Sequence, residues 1–325
     1  MIITKTPFRI SFVGGGSDFP SYFNNYNDGC VVSASIDRYM YISINPKFEG
    51  DYRVSYSSIE NAHDISDIKH PLVRESLNYF KVTQGLSISS TADIPSYGSG
   101  LGSSSSFTVG LVHALSTMQG EILNSKQLAE LACKVEVDLC KEPIGFQDQY
   151  AASIGGLNYI EFGKNNIVSI EKLHNINTLE KLQSSLLFFH TGINRSASQI
   201  LKIQNENIKN KSNINLIDEI VALAKEFKTY LIKNDIKACG EVIKESWKIK
   251  MNMADNISNK NFDDIINIAY KNGAWGGKIL GAGGGGFFLF LAPKSHHKKI
   301  INALSFLKYY NFSISSKGSE VIYKD

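Results

Sequence analysis

The chain has 325 residues, 43% of them hydrophobic and 20% charged, which is typical of a globular protein with room for two domains. A formal net charge of +3 is too small to indicate a nucleic-acid partner or an anionic membrane surface. The sequence has no leader-like or membrane-spanning apolar run, and its four cysteines lack the spacing of a zinc site. We therefore predict a cytoplasmic protein whose thiols are reduced.

The first predicted element is a strand that ends in a run of glycines. Hydrophobic and polar residues alternate in "FRISF", which places Arg9 and Ser11 on one face of the strand. The strand ends at "GGGSD", where Gly14, Gly15 and Gly16 could supply positive φ angles for a turn. Two more strands are predicted at "RYMYISINP" and "GLSISSTADIP".

A loop rich in glycine and serine, "PSYGSGLGSSSSF", then opens into the apolar helix "FTVGLVHAL". Glycines let the backbone turn back on itself, and the serines give the start of the helix many amide and hydroxyl donors. Such a helix end attracts anions, phosphate first among them. The loop lacks the lysine that follows the last glycine of a Walker A sequence, which disfavours a kinase of that class.

The next helix, "SKQLAELACKVEVDLC", is predicted to begin at a capping residue, Ser125, and to end near Pro143. Glu136 lies on this helix beside two cysteines, where a buried carboxylate without a partner would be costly. A bound metal would explain the residue, and so would exposure to solvent. Asp148 follows in a polar loop, "GFQDQYAASIGG", as either a turn former or a functional carboxylate.

Polar residues and turn signals between Gly163 and Ser184 indicate a domain boundary. The second half starts with a buried strand, "SLLFFHTG", runs mainly helical over residues 197–275, and closes with "GAGGGGFFLFLAP" and a strand–helix–strand unit. Residues 281–286 match G-x-G-x-x-G, but they follow a helical segment and open a strand, the reverse of a dinucleotide fingerprint. We interpret this run as a turn whose backbone comes close to the glycine- and serine-rich loop.

Three segments, "TPFRISFVGGGSDF", "DIPSYGSGLGSSSSF" and "KILGAGGGGFFLF", together resemble the GHMP kinases of small metabolites, in that family's order and spacing. The resemblance covers nearly the whole chain, and "GGGSDFPSYF" with "GSGLGSSSSFTVGL" is most similar to the family's heptose 7-phosphate kinases. It implies an α+β fold with a ribosomal-protein-like domain over residues 1–170 and a ferredoxin-like domain over residues 171–325. The implied activity uses ATP and Mg²⁺ to phosphorylate the anomeric C1 hydroxyl of D-glycero-D-manno-heptose 7-phosphate, giving the 1,7-bisphosphate for nucleotide-activated heptose.

The resemblance also implies a site between the two domains. Ser104 and Glu136 match the residues that hold Mg²⁺. Asp148 matches the aspartate beside the accepting hydroxyl, and Arg9 matches a basic residue near it that would favour the ionised carboxylate. The residues matching the ATP loop are Gly98, Gly100, Leu101, Gly102, Ser103, Ser104 and Ser105. Those assigned to the sugar are Gly15, Gly16, Ser17, Asp18 and Arg195.

The expected partner is a small sugar phosphate, with no nucleic acid and no membrane, and the chain could form a homodimer. Galactokinase-like members carry Glu-His where this chain has Gly15 and Gly16, so its pocket is larger and lacks a carboxylate that would repel an anion. Candidate cations for a substrate phosphate are Lys5, Arg9, Arg53, Arg74 and Arg195. Two alternatives stay open: a kinase of another sugar such as fucose, and a catalytically silent sugar or nucleotide sensor on the same fold.

Overall fold

The structure, a computed structural model, describes residues 1–94, 98–173, 175–193 and 197–325. Within these ranges the strands are β1 (Ile2–Val13), β2 (Gly29–Pro46), β3 (Tyr52–Ser55), β4 (Ile59–Ala62), β5 (Leu86–Ala92), β6 (Leu157–Gly163), β7 (Ile167–Lys172), β8 (Leu186–His190), β9 (Gly276–Ile279), β10 (Phe287–Leu291), β11 (Lys308–Tyr310) and β12 (Glu320–Lys324). The α-helices there are α1 (Pro20–Phe23), α2 (Pro71–Tyr79), α3 (Ser103–Met118), α4 (Ser125–Cys133), α5 (Gln147–Ile154), α6 (Ile176–Ser185), α7 (Ser198–Lys209), α8 (Ile214–Ile232), α9 (Ile236–Lys250), α10 (Lys260–Lys271) and α11 (His297–Ala303). The predicted α+β class is confirmed.

The larger sheet is built on two long strands, β1 and β2. One edge of β2 pairs with β1, and the other edge pairs with β6 through its first half and with β5 through its second half. Along the described chain this sheet runs β12-β1-β2-β5-β3-β4, with β7 beside β6. β3 and β5 are parallel, and the other pairs are antiparallel. The strands predicted at "RYMYISINP" and "GLSISSTADIP" are β2 and β5.

The smaller sheet is antiparallel, in the order β11-β8-β10-β9. All five residues of β10, "FFLFL", are buried, as the sequence predicted for a core strand. Helix α9 packs on β9 and β10 and also contacts β1 of the larger sheet. The end of α9 is thereby carried to the junction between the two sheets.

The predicted domain division at residues 170 and 171 falls inside β7, which pairs with β6 in the larger sheet. The chain also returns to that sheet at its end, where β12 pairs antiparallel with β1. The sequence analysis assigned these last residues to the second domain. They pair with β1, which lies more than 300 residues earlier in the chain, and so they belong to the larger sheet.

Helix α3 is the apolar helix that the sequence predicted after the glycine and serine loop. It begins at Ser103, and its N-cap, Gly102, has a left-handed φ of 73°. Most of its residues are buried, because α3 packs against β1 and β2 on one side and α4 and α5 on another. A helix covered on all sides fixes its N-terminal turn firmly in the molecule.

Two predicted local structures are wrong in detail. The helix expected over residues 125–140 is α4 followed by a π-helical turn, Lys134–Leu139, and its cap is Asn124, whose side chain accepts from the amides of Lys126 and Gln127. A π turn changes which side chains face inward, and such turns are frequent at functional sites. Asp148 was expected in a loop, but it lies in the first turn of α5.

Candidate active site

A cavity of about 790 Å³ opens at the junction of the two sheets. This volume suits a ligand of metabolite size. Its walls include most of the residues that the sequence singled out: Arg9, Gly15, Gly16, Asp18, Gly98, Gly100, Gly102, Ser103, Ser104, Ser105 and Asp148. Residues from three separated segments of the chain are therefore brought to one place by the fold.

Arg9 and Asp148 form a bidentate ion pair at the centre of this cavity. The Arg9 Nε donates to Asp148 Oδ1 at 2.6 Å, and Nη2 donates to Oδ2 at 2.5 Å. The remaining Arg9 nitrogen, Nη1, donates to the carbonyl oxygen of Gly100 at 2.7 Å. Arg9 is 5% exposed, and a buried fork-to-fork pair of this kind fixes both side chains in orientation. The predicted contact between these residues is present, and it ties the carboxylate to the glycine and serine loop.

The loop itself turns on three glycines with left-handed φ angles, Gly98, Gly100 and Gly102. Its serines then form the first turn of α3, where backbone amides have no carbonyl partner within the helix. This is an anion-binding arrangement. Leu101 differs from the prediction, because its side chain is fully buried beneath the loop and its carbonyl accepts from the Arg9 amide at 2.9 Å. Leu101 thus anchors the loop and does not line the cavity.

Glu136 lies behind the loop on the π-helical turn and is fully buried. Its carboxylate accepts from Ser104 Oγ at 2.8 Å and from Gln149 Nε2 at 2.6 Å. Burial raises the pKa of Glu136 to about 7, against the effect of the hydroxyl and amide donors. Among the described residues no ion pair reaches this carboxylate. Because Glu136 is fully buried, the alternative that its carboxylate is exposed to solvent is excluded.

A divalent cation fits this pair of oxygen groups. Mg²⁺ uses one or two protein oxygens together with phosphate oxygens and water, so a site for it needs no large cluster of ligands. The described residues indeed contain no group of three or more His, Cys, Asp or Glu that could hold a metal. The Ser104 hydroxyl and the Glu136 carboxylate supply hard oxygen ligands, and a cation would compensate the buried charge.

At the next wall, Asp18 is nearly buried and is held by the backbone. Its Oδ1 accepts from the Gly16 amide at 2.9 Å, and its Oδ2 accepts from the Gln147 amide at 3.2 Å. Burial raises the pKa of Asp18, and the two amides oppose this effect. Ser17 differs from the prediction: its hydroxyl lies 2.8 Å from the Gly14 carbonyl and accepts from the Cys30 amide at 3.0 Å. Ser17 is fully buried and braces the turn, outside the cavity lining.

The predicted cations for a substrate phosphate are mostly elsewhere. Arg74 donates to the carbonyl of Ile68, and Lys5 lies over the ring of Tyr39. Neither these two nor Arg53 lines the cavity. Arg195 lies outside the described residues.

Sequence reasoning missed two buried lysines, of which Lys250 lines the cavity and Lys278 lies outside its lining. Lys250, the last residue of α9, is 8% exposed, lines the cavity and donates to the Gly281 carbonyl at 2.6 Å. Lys278, on β9, donates to the carbonyls of Ser11 and Phe12, both at 3.0 Å. Burial lowers the pKa of Lys250 to about 8 and that of Lys278 well below its usual range. For Lys250 the sequence did contain a signal, because this lysine lies on the apolar stripe of its helix, in line with Ile243.

The two ends of the cavity differ in chemistry. At one end, the ring of His70 stacks on Phe107 with centroids 4.9 Å apart and meets Tyr56 edge-on at 4.7 Å. Because aromatic rings line the cavity here, this end suits a planar heterocycle. At the other end lie Phe19 and Gln204, whose buried Nε2 lacks a partner among the described residues.

The C-terminal glycine run touches the glycine and serine loop directly, as the sequence analysis expected. A Cβ placed at Gly281 would lie 2.7 Å from the Cα of Gly100, and one placed at Gly286 would lie 2.4 Å from the carbonyl oxygen of Ser99. Only glycines allow backbones to approach this closely. The second half of the chain therefore supports the loop through main-chain contact.

Comparison with known proteins matches both halves of the chain. The family described as "GHMP kinases N terminal domain" matches residues 69–156, and "GHMP kinases C terminal" matches residues 220–309. Together the two matches cover more than half of the sequence. The chain belongs to the GHMP kinase family. Its two-domain fold is the fold of that family, whose members use ATP as the phosphate donor.

Individual relatives agree with this membership. The chain is 29% identical to a D-glycero-alpha-D-manno-heptose 7-phosphate kinase of Campylobacter jejuni, over 98% of this chain and 97% of that protein. It is 24% identical to a galactokinase of Pyrococcus furiosus, over 99% and 97% of the two chains. A D-glycero-D-manno-heptose 1-phosphate kinase of Bacteroides thetaiotaomicron superposes with a TM-score of 0.82 at 23% identity, covering all of both chains. Within the described ranges, no helix of this protein has the length and apolar character to cross a membrane.

Proposed function

We propose that this protein transfers the γ-phosphoryl group of ATP to the anomeric C1 hydroxyl of D-glycero-D-manno-heptose 7-phosphate. The observation that carries the proposal is the bidentate Arg9–Asp148 pair held against an anion-binding loop in one cavity. Phosphoryl transfer consists mostly of positioning and charge stabilisation, and this arrangement provides both. The product would be the 1,7-bisphosphate used to make nucleotide-activated heptose, in the cytoplasm.

ATP would lie along the cavity with its base among Tyr56, His70 and Phe107. The aromatic rings offer a stacking surface. The triphosphate would then meet the loop of Gly98–Ser105, whose residues other than Leu101 line the cavity. This orientation brings the γ-phosphate toward Arg9 and Asp148.

Ser104 and Glu136 would hold Mg²⁺, which would neutralise charge on the β- and γ-phosphates when bound. The chain's contribution is a pre-formed pair of oxygen ligands, held at 2.8 Å from each other and steadied by Gln149. The buried carboxylate would be ionised fully in the presence of the cation.

Asp148 would accept the proton of the attacking hydroxyl or orient that hydroxyl toward the phosphorus. Both of its oxygens accept from Arg9, which limits the rotation of the carboxylate. Its side chain is 22% exposed, so one face stays open to a substrate. Asp18, nearby and anchored by backbone amides, would hold a sugar hydroxyl.

Similarity to the Campylobacter jejuni heptose 7-phosphate kinase supports the choice of sugar, since it spans nearly all of both chains. Gly15 and Gly16 line the cavity, where glutamate and histidine side chains would take up volume that a seven-carbon sugar needs. A fucose kinase on the same scaffold is the main competitor, because the chain is also 26% identical to an Arabidopsis thaliana bifunctional fucokinase/GDP-fucose pyrophosphorylase over 95% of its own length. The intact Arg9–Asp148 pair speaks against a silent sensor.

The test is ADP release by the purified protein with MgATP against heptose 7-phosphate, fucose, mannose, galactose and no sugar. We expect turnover with heptose 7-phosphate at least tenfold faster than with any neutral sugar. Faster turnover with fucose would keep the kinase mechanism and discard the heptose assignment. ATP binding without turnover on any of these sugars would support the sensor.

A further inference from the structure

Lys250 places a buried ammonium group at the cavity. Neither the sequence motifs nor the roles given above to the other site residues explain why it is there. An ammonium group has three donors, and one of them is used on the Gly281 carbonyl at 2.6 Å. Across the described ranges, no carboxylate lies within ion-pair distance of Lys250. Burying an ammonium group without a counter-charge is costly, so the site favours an anionic ligand.

The neighbours of Lys250 place it at the point where the phosphates would meet the acceptor. Gly281, its hydrogen-bond partner, lies against the backbone of Gly100, and the Gly100 carbonyl accepts from Arg9. A Cβ built at Gly15 would lie 3.8 Å from the Lys250 Nζ, on the sugar side. Lys250 therefore lies between the loop of Gly98–Ser105 and the wall of the cavity at Gly15.

The other charged groups that face Lys250 already have partners. Arg9 is bound by Asp148, and Lys278 is held by two backbone carbonyls. Asp18 is held by two backbone amides. These four side chains and Lys250 interact electrostatically, and Lys250 has two of its three donors left for a ligand.

We infer that the Lys250 ammonium group binds an oxygen of the γ-phosphoryl group of ATP and stays with that group as it passes to the sugar hydroxyl. In this step the bond from the γ-phosphorus to its bridging oxygen breaks and the bond to the sugar oxygen forms. The hydroxyl proton goes to Asp148 and then to solvent, and Lys250 keeps its protons. The inference rests on the proposed phosphotransferase activity, but it does not depend on which sugar is phosphorylated.

The first test uses no sugar, so it also stands if the proposed substrate is wrong. Calorimetric titration compares binding of ADP and of an imido analogue of ATP, with Mg²⁺, to the wild type and to Lys250→Met. We expect the variant to lose roughly 10- to 100-fold in affinity for the analogue, the size of one charge-assisted hydrogen bond, and less than threefold for ADP. An unchanged ratio of the two affinities would overturn the inference.

Lys248→Met is the matched control, because Lys248 lies on the same helix with its side chain 56% exposed and paired with Glu245. It should bind both nucleotides like the wild type. Thermal unfolding distinguishes a merely structural effect: Lys250→Met removes a buried charge, so its melting temperature should not fall. A drop in melting temperature with equal losses for ADP and the analogue would assign Lys250 a structural role and contradict the inference.

Kinetics provide a second readout with whichever sugar is turned over. Lys250→Met should lower kcat by roughly 10²-fold or more, with the sugar KM within threefold of wild type. Because burial lowers the pKa of Lys250 to about 8, kcat/KM for ATP should fall above that pH in the wild type. Lys250→Arg keeps its charge and should lose this alkaline decline. A rise in the sugar KM alone would instead make Lys250 a sugar ligand.

Discussion

The C-terminal glycine run touches the loop of Gly98–Ser105, so we predict that a single methyl group at Gly286 will displace this loop. A Cβ there would lie 2.4 Å from the Ser99 carbonyl oxygen and 3.1 Å from the Gly98 carbonyl oxygen. An ordinary contact needs about 3.4 Å, so the loop would have to move by about 1 Å. Misplacement of reacting groups by that distance can cost roughly 10²-fold in rate. We expect Gly286→Ala to lower kcat/KM for ATP by about this factor.

Gly120→Ala provides the control, because Gly120 has a similar φ of +79° but nothing within 4 Å of its Cβ position. Both substitutions force alanine into a left-handed conformation, which costs ~1–2 kcal/mol in the free energy of unfolding. Urea unfolding should show this loss in both variants. Steady-state ADP release at varied ATP should show a defect in Gly286→Ala only. Equal kcat/KM values for the two variants would refute the argument that the glycine run positions the loop.

Three further predictions concern the carboxylates and the turn. Asp148→Asn should lower kcat by roughly 10²–10⁴ with the fold intact, and near-wild-type turnover would eliminate the base role. Burial raises the pKa of Glu136 from 4.5 to about 7. Between these pH values the metal-free folded state keeps a proton that the unfolded state has lost, so the free energy of unfolding should fall as the pH rises from 4.5 to 7. Glu136→Gln should lack this fall, and at pH 8 its free energy of unfolding in urea titrations should exceed that of the wild type by ~3 kcal/mol. Mg²⁺ should stabilise the wild type alone. Parallel pH curves for both proteins would contradict the argument that burial raises the pKa of Glu136. Ser17→Ala should cost ~1–3 kcal/mol of stability with an unchanged sugar KM, whereas Asp18→Asn should raise that KM; the reverse pattern would restore Ser17 as a sugar ligand.

The sequence could predict those parts of the site that lie within single short segments of the chain. Arg9 lies at a fixed position on a strand, and the serine loop combines turn glycines with a helix start, so each segment carries its own signal. Asp148 was found through its segment, although its placement in the first turn of α5 was not. These residues needed only local pattern and the family resemblance to be chosen.

The parts that the sequence could not predict depend on packing between distant segments. Lys250 lies on the apolar stripe of α9, but only the packing of α9 on β1 and β9 brings the end of that helix to the cavity. Ser17 reads as a polar loop residue until Cys30 of β2 is brought against it. The π-helical turn at Glu136 has no sequence signature that we could use, since the segment reads as ordinary helix.

Phosphorus NMR of the reaction product would show whether the C1 hydroxyl of heptose 7-phosphate receives the phosphoryl group. We expect the 7-phosphate signal to persist while a second signal appears, coupled to the anomeric proton, in proportion to the ADP released. A new phosphate on any other carbon, or ADP release with no new sugar phosphate, would contradict this expectation.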